Sequence, residues 1–194
     1  MALLFPLLAT LLACNYGPVG SLGCDLPRNS DLLTRKTFVL LGQMRRVSPF
    51  LCLKDRRNFQ FLQELLDDRQ IHRAQAVSVL HEMLQQIFNI FHTEHAAAAW
   101  NTPLLDELRM GLHQQLETLK TCLIQVIREE DFSLAMEDQE VALRKYFRGI
   151  HLYLDEKSYS DCAWEIVRVE TVRAFSSVAK LQERLIKAGD LGSS

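Results

Sequence analysis

TPLLDELRMGLHQQLETLKTCLI, residues 102–124, carries leucine at 105, 108, 112, 116, 119 and 123. Steps of three and four put those side chains on one face of a helix. Thr102-Pro103 marks its start, since proline is tolerated in a first helical turn. From Leu104 to Ser194 there is no further proline. A sheet protein of this size needs many turns and spends Gly and Pro on them. The stretch therefore predicts an all-α chain.

The same rhythm continues on both sides. Leu143, Tyr146, Phe147, Ile150, Tyr153 and Leu154 form one stripe, behind Glu137, Asp138 and Glu140, which suit the positive end of a helix dipole. Another starts near Ser160 and repeats at Trp164, Val167, Thr171, Ala174, Val178, Leu181 and Leu185. Upstream, Leu80, Met83, Leu84, Ile87 and Phe91 share a face. So do Leu33, Thr37, Leu40, Leu41 and Met44, after the cap candidates Asn29, Ser30 and Asp31. Five helices are expected, the last two antiparallel because only a few residues around Ser158-Tyr159 join them. Between the first two, Val47 to Ala74 shows little helical pattern. So long a connection is usually functional or an overhand crossover, as up-up-down-down cytokine bundles require. The tail, about 187–194, is expected to fray.

Residues 1–23 are a separate object. They hold no charged side chain, and Ala2–Cys14 is almost wholly apolar. Asn15–Gly20 breaks the helix, and Ser21 and Gly23 are small residues at −3 and −1, the layout of a secretory signal peptide cleaved before Cys24. The apolar run is too short to span about 30 Å of hydrocarbon. Residues 24–194 then form a single helical domain, with no membrane insertion. Its 22 basic and 24 acidic residues give a net charge of −2, no electrostatic basis for nucleic-acid binding.

Secretion changes how the cysteines are read. Cys24, Cys52, Cys122 and Cys162 remain, enough for two disulfides in an oxidising compartment. Spacing leaves three pairings open. Catalytic motifs are missing: no GxSxG, Walker loop, GxGxxG or HExxH occurs, so no catalytic residue, cofactor or metal is assigned. His92 and His95 stand three apart, but without a supporting ligand motif they read as a solvated helix end.

Arg45, Arg46, Lys54, Arg56 and Arg57 form the one dense charge cluster. They flank Cys52, where a disulfide would still a mobile loop. On the last helix, Arg168, Val172 and Ser176 make an i, i+4, i+8 row opposite the core stripe, with Val169 and Arg173 alongside. Exposed apolar residues between arginines fit an interface core better than a solvating face.

Tyr146-Phe147-Arg148-Gly149-Ile150-His151-Leu152-Tyr153-Leu154, followed by Cys162-Ala163-Trp164, resembles the signature of the type I interferons. Cys24-Asp25-Leu26-Pro27, Cys52–Arg57, Val79–Phe88 and Ala98-Ala99-Trp100 resemble the same family. Leu112–Leu116 and the ending DLGSS are similar to its omega branch, with the tau branch a close relative.

The resemblance implies a five-helix bundle with a long loop between the first two helices, and the pairs Cys24–Cys122 and Cys52–Cys162. It implies a secreted cytokine, monomeric when active, that brings together the two chains of the interferon alpha/beta receptor and triggers Janus kinase–STAT signalling. Leu53, Arg56, Arg168, Val169, Val172, Arg173 and Ser176 match the high-affinity receptor face. Phe88, Asn89, Thr93, Leu104, Arg109, His113 and Arg144 match the low-affinity face. Asn58 replaces a common aspartate, Val172 a usual methionine and Thr171 a typical aliphatic residue. Rival readings are a trophoblast pregnancy-recognition interferon of the tau type and, from another class, a secreted helical carrier of an apolar ligand.

The secreted protein is expected to begin at Cys24, with no free thiol. It should also lack N-linked glycan, because none of Asn15, Asn29, Asn58, Asn89 or Asn101 opens an acceptor sequon. Intact mass after mammalian expression checks both; an alkylatable thiol or a glycosidase-sensitive shift would contradict them.

Overall fold

The computed structural model describes residues 30–61, 73–129 and 135–192, with side chains over 30–61, 73–126 and 138–187. The signal segment 1–23 and Cys24 lie outside the described residues. Those described form an all-α bundle: α1 (Ser30–Gln43), a 3₁₀ segment (Pro49–Asp55), α2 (Arg73–Phe91), α3 (Glu94–Ala99), α4 (Thr102–Glu129), α5 (Ala135–Glu156) and α6 (Asp161–Gly192). The five long helices are those the stripes predict. The short α3 was not foreseen; Thr93 starts it by accepting the Ala96 N–H on its hydroxyl at 3.1 Å. Helical backbone continues to Gly192, through residues where fraying was expected.

The central helix is α2, which packs on α4, α5 and α6, while α1 closes the other side against α4 and α6. Its Leu80, Met83, Leu84, Ile87 and Phe91 are all fully buried. The stripes of α5 and α6 are buried at every predicted position. On α1 the buried face includes Thr34 as well as Thr37, while Leu32 faces solvent. These threonines belong to a buried polar junction. Thr34 Oγ1 donates to Gln182 Oε1 at 2.6 Å, and Gln115 Nε2 donates to Thr37 Oγ1 at 3.2 Å. Three helices are joined there, and removing Thr34 would leave the buried Gln182 carbonyl oxygen without its donor.

Two connections carry the fold's constraints. The α5–α6 turn places Ser158 and Tyr159 at φ of 48° and 53°, the left-handed region that disfavours a Cβ. Tyr159 is held there by its N–H to the Leu154 carbonyl at 2.9 Å and by stacking on His95 at 3.7 Å. Ser160 then caps α6, accepting the Ala163 N–H on its hydroxyl.

The other connection is described over residues 45–61. They form a strap on the bundle, fixed where Cys52 is bonded to Cys162 in the first turn of α6. That bond closes a sequence separation of 110 residues, nominally worth about 4–5 kcal/mol in the chain-entropy picture. Cys122 is also disulfide-bonded.

Burial lowers the pKa of both His81 and His151 below the ordinary imidazole value, although the carboxylates of Glu82 and Glu140 oppose this at His81. A folded-state pKa below the unfolded one means the unfolded chain binds more protons as pH falls past 6.5. The two groups should therefore destabilise the fold as pH drops below about 6.5. Replacing both by Gln should flatten the fall in Tm between pH 7 and 5 relative to the parent, measured by calorimetry.

Candidate binding surfaces

The strap is fastened to two helices. Its first half ends at Cys52, covalently fixed to α6. Its second half lies on α5, where Tyr153 Oη donates to the Asp55 carbonyl at 2.7 Å. Lys157 pairs with Asp55 at 3.2 Å and Arg57 with Glu156 at 2.8 Å. Phe59 meets the Tyr153 ring edge-on at 5.2 Å, and Phe61 meets Tyr146 at 5.4 Å. Burial, reinforced by the Asp55 carboxylate, pushes the Tyr153 phenol up to about 12.

What the strap holds out is apolar. Phe50 is 81% exposed, Leu51 75% and Leu53 54%. Arg45, Lys54 and Arg56 stand exposed around them. Arg46 is engaged by Asp161 at 3.3 Å and by the Ala99 carbonyl. Sequence reasoning selected Leu53 and Arg56 but missed Phe50 and Leu51. Their signal was a run of large apolar residues between Pro49 and a loop cysteine.

On α6, Val169 and Arg173 are exposed, Val172 and Ser176 half-buried. The Arg173 guanidinium lies 5.5 Å from the Phe61 ring, tying this face to the far end of the strap. Arg168 is a correction. Only 6% of it is exposed. Its Nε and Nη2 donate to Glu165 at 2.9 and 2.7 Å, and its Nη1 donates to the Leu41 carbonyl at 2.9 Å. The i, i+4, i+8 row held for position but not for exposure, because α1 covers its first member. Helical spacing on α6 cannot show where another helix ends.

A second group gathers around α2, α3 and α4. The Phe88 ring is half-buried, stacked on His92 at 4.8 Å and 6.3 Å from His113. Asn89 is exposed and accepts from Gln85 at 3.0 Å. Arg109 donates to the Phe91 carbonyl at 2.9 Å, and to the Thr93 carbonyl at 3.4 Å. Thr93 and Leu104 are half-buried. Arg144, on α5, reaches across to Glu82 of α2 at 3.0 Å and to Glu140 at 2.5 Å. These seven residues thus lie on α2, on α4 and α5 packed beside it, and at the start of α3. His92 and His95 stack on different rings, Phe88 and Tyr159, and do not converge. Among the described residues no cluster of three or more His, Cys, Asp or Glu could hold a metal, and no helix is long and apolar enough to cross a membrane.

The family model of the interferon alpha/beta domain matches residues 26–185. The chain belongs to the type I interferon family. Interferon omega-1 of Homo sapiens is 60% identical over 195 residues, and interferon omega-2 of Equus caballus 61% over 194, each pair covered in full. Interferon tau of Cervus elaphus is 55% identical over 194 residues, again with both chains fully covered. Among solved structures, zebrafish interferon 2 superposes with a TM-score of 0.67 at 22% identity, over 77% of this chain and 96% of that chain, a likeness of fold. Members of the family are cytokines, so this interferon is not an enzyme.

Tyr153→Phe should loosen the strap and cost about 1 kcal/mol of stability, the usual worth of such a hydrogen bond. A phenol whose pKa rises from 10 to about 12 on folding contributes stability below pH 10 that is lost as pH climbs through 12. Absorbance at 295 nm should show one phenolate appearing at about pH 12 in the parent and missing from the variant.

Proposed function

We propose that this interferon is secreted, acts as a monomer, and signals by binding the two chains of the interferon alpha/beta receptor on two faces, so that their Janus kinases phosphorylate STAT proteins. The observation that carries the reading is the strap. Three exposed apolar side chains, ringed by cations, are fixed by a disulfide and by α5 before any partner arrives. An interface gains most from anchors that need little ordering on docking. Leu53 and Arg56, with Val169, Val172, Arg173 and Ser176, form the proposed high-affinity face. Phe88, Asn89, Thr93, Leu104, Arg109, His113 and Arg144 form the proposed low-affinity face. A start at Cys24 agrees with a family match beginning at residue 26.

An apolar carrier is less well supported. A cleft of about 480 Å³ lies between α1 and α6; its lining includes Ala179 and Ile186 but also the charged Asp31, Arg35, Lys180, Glu183 and Lys187. The aromatic stripes are packed against one another instead, as in the Phe91, Trp100 and Trp164 group. A tau-type role would differ by trophoblast-restricted expression.

Titration of each purified receptor ectodomain tests the assignment. Arg56→Ala or Leu53→Ala should cost about 2 kcal/mol or more in binding the high-affinity chain, and Arg173→Ala about 1–2 kcal/mol. His95→Ala, outside both faces, should change affinity by less than about 0.5 kcal/mol. Arg109 and Arg144 variants should weaken only the low-affinity chain. Parent-like binding by both Leu53→Ala and Arg56→Ala sinks the strap-and-α6 site. STAT phosphorylation in matched cells, abolished by a receptor-blocking antibody, tests the pathway.

A further inference from the structure

We propose that Arg168 is a positioning residue, which holds the end of α1 on α6 and thereby sets the first half of the strap without itself touching the receptor. The proposal rests on the reading of strap and α6 as the high-affinity face. Its side chain is 8% exposed and that of Glu165 fully covered. All three guanidinium nitrogens are engaged, two with Glu165 and one with the Leu41 carbonyl. Three of its five N–H donors are thus used inside the protein, and with so little of the side chain exposed a receptor group has scant access to the rest.

Leu41 stands in the last turn of α1, where carbonyls have no donor within their own helix. Leu40 is served by the Met44 N–H and Gly42 by the Arg45 N–H. Leu41 is served from α6, by a cation at the negative end of the helix dipole. From there the chain passes Met44, 2% exposed, to Ser48, whose carbonyl accepts the Leu51 N–H at 2.9 Å, and then to Cys52. Cys52 is bonded to Cys162, which precedes Arg168 on the same helix by about 9 Å of rise. The segment carrying Phe50 and Leu51 thus runs between two points fixed on α6, with Arg46 adding an exposed ion pair to Asp161 between them. Removing Arg168 frees the first point and leaves the Glu165 carboxylate buried without its partner. The apolar run would then have to be ordered during docking, which weakens binding.

The test titrates the high-affinity ectodomain with Arg168→Ala and Arg168→Lys, alone and combined with Phe50→Ala or Arg173→Ala. Exchange of the Leu51 amide is followed in the free proteins. Arg168→Ala should weaken binding about tenfold or more while leaving the low-affinity chain within about twofold, because only the strap loses preorganisation. The loss should shrink to about twofold beside Phe50→Ala and persist in full beside Arg173→Ala, as coupled and uncoupled sites behave. Leu51 should exchange at least about tenfold faster, by local opening of the segment. Arg168→Lys keeps a charge near Glu165 but cannot span both Glu165 and the Leu41 carbonyl. It should fall between parent and Arg168→Ala, and it carries the test if Arg168→Ala does not fold. A loss additive with Phe50→Ala, with unchanged Leu51 exchange, would make Arg168 a direct contact and overturn the proposal. Parent-like affinity of folded Arg168 variants, beside weakened Leu53→Ala and Arg56→Ala, overturns this proposal alone. Parent-like Leu53→Ala and Arg56→Ala overturn the face assignment and this proposal with it.

Discussion

The bond between Cys52 and Cys162 converts a connection into a surface. Without it, the segment between α1 and α2 would be a polar linker carrying Phe50, Leu51 and Leu53 into water, where apolar groups collapse inward or associate. With it, the same residues are held outward beside α6. Tyr153, Lys157 and Glu156 then fasten the following residues to α5. Each of these bonds is modest alone. Their effect depends on the disulfide having already brought the strap within reach.

The bundle beneath supplies a rigid base of two kinds. Around α2 the contacts are apolar and close-packed, with the Phe91, Trp100 and Trp164 rings within 6.5 Å of one another. Between α1, α4 and α6 they are polar, through Thr34, Thr37, Gln115 and Gln182. Apolar packing is strong but indifferent to small slips along a helix axis. A satisfied buried hydrogen-bond junction is sensitive to them, because a shift of one position leaves donors without acceptors. The polar junction and the Arg168–Glu165–Leu41 contact both lie along α1. They fix the register of the helix from which the strap departs.

Among the described side chains the clear pKa shifts fall on Tyr146, Tyr153, His81, His151 and Arg144, each explained by burial or by a structural carboxylate. What stands out instead is exposure: Phe50, Leu51 and Leu53 are kept in water beside the exposed cations Arg45, Lys54 and Arg56.

The class of fold and the five long helices are legible in the residues alone, because a 3.6-residue apolar period and a near-absence of proline are local properties. So are the inward-facing stripes at Leu143–Leu154 and Trp164–Leu185. Family resemblance added the pairing of Cys52 with Cys162, which spacing left open and the structure contains. Which members of an apparently exposed row stay exposed depends on the packing of distant segments. Arg168 and Arg173 both lie off the apolar stripe of α6, about 140° apart around its axis. One is covered by the end of α1, 127 residues earlier in the chain, and the other stands beside Phe61. The same holds for the strap, whose order comes from partners about 100 residues away. Periodicity records which way a side chain points from its own helix, but burial depends on what the rest of the chain brings to that side.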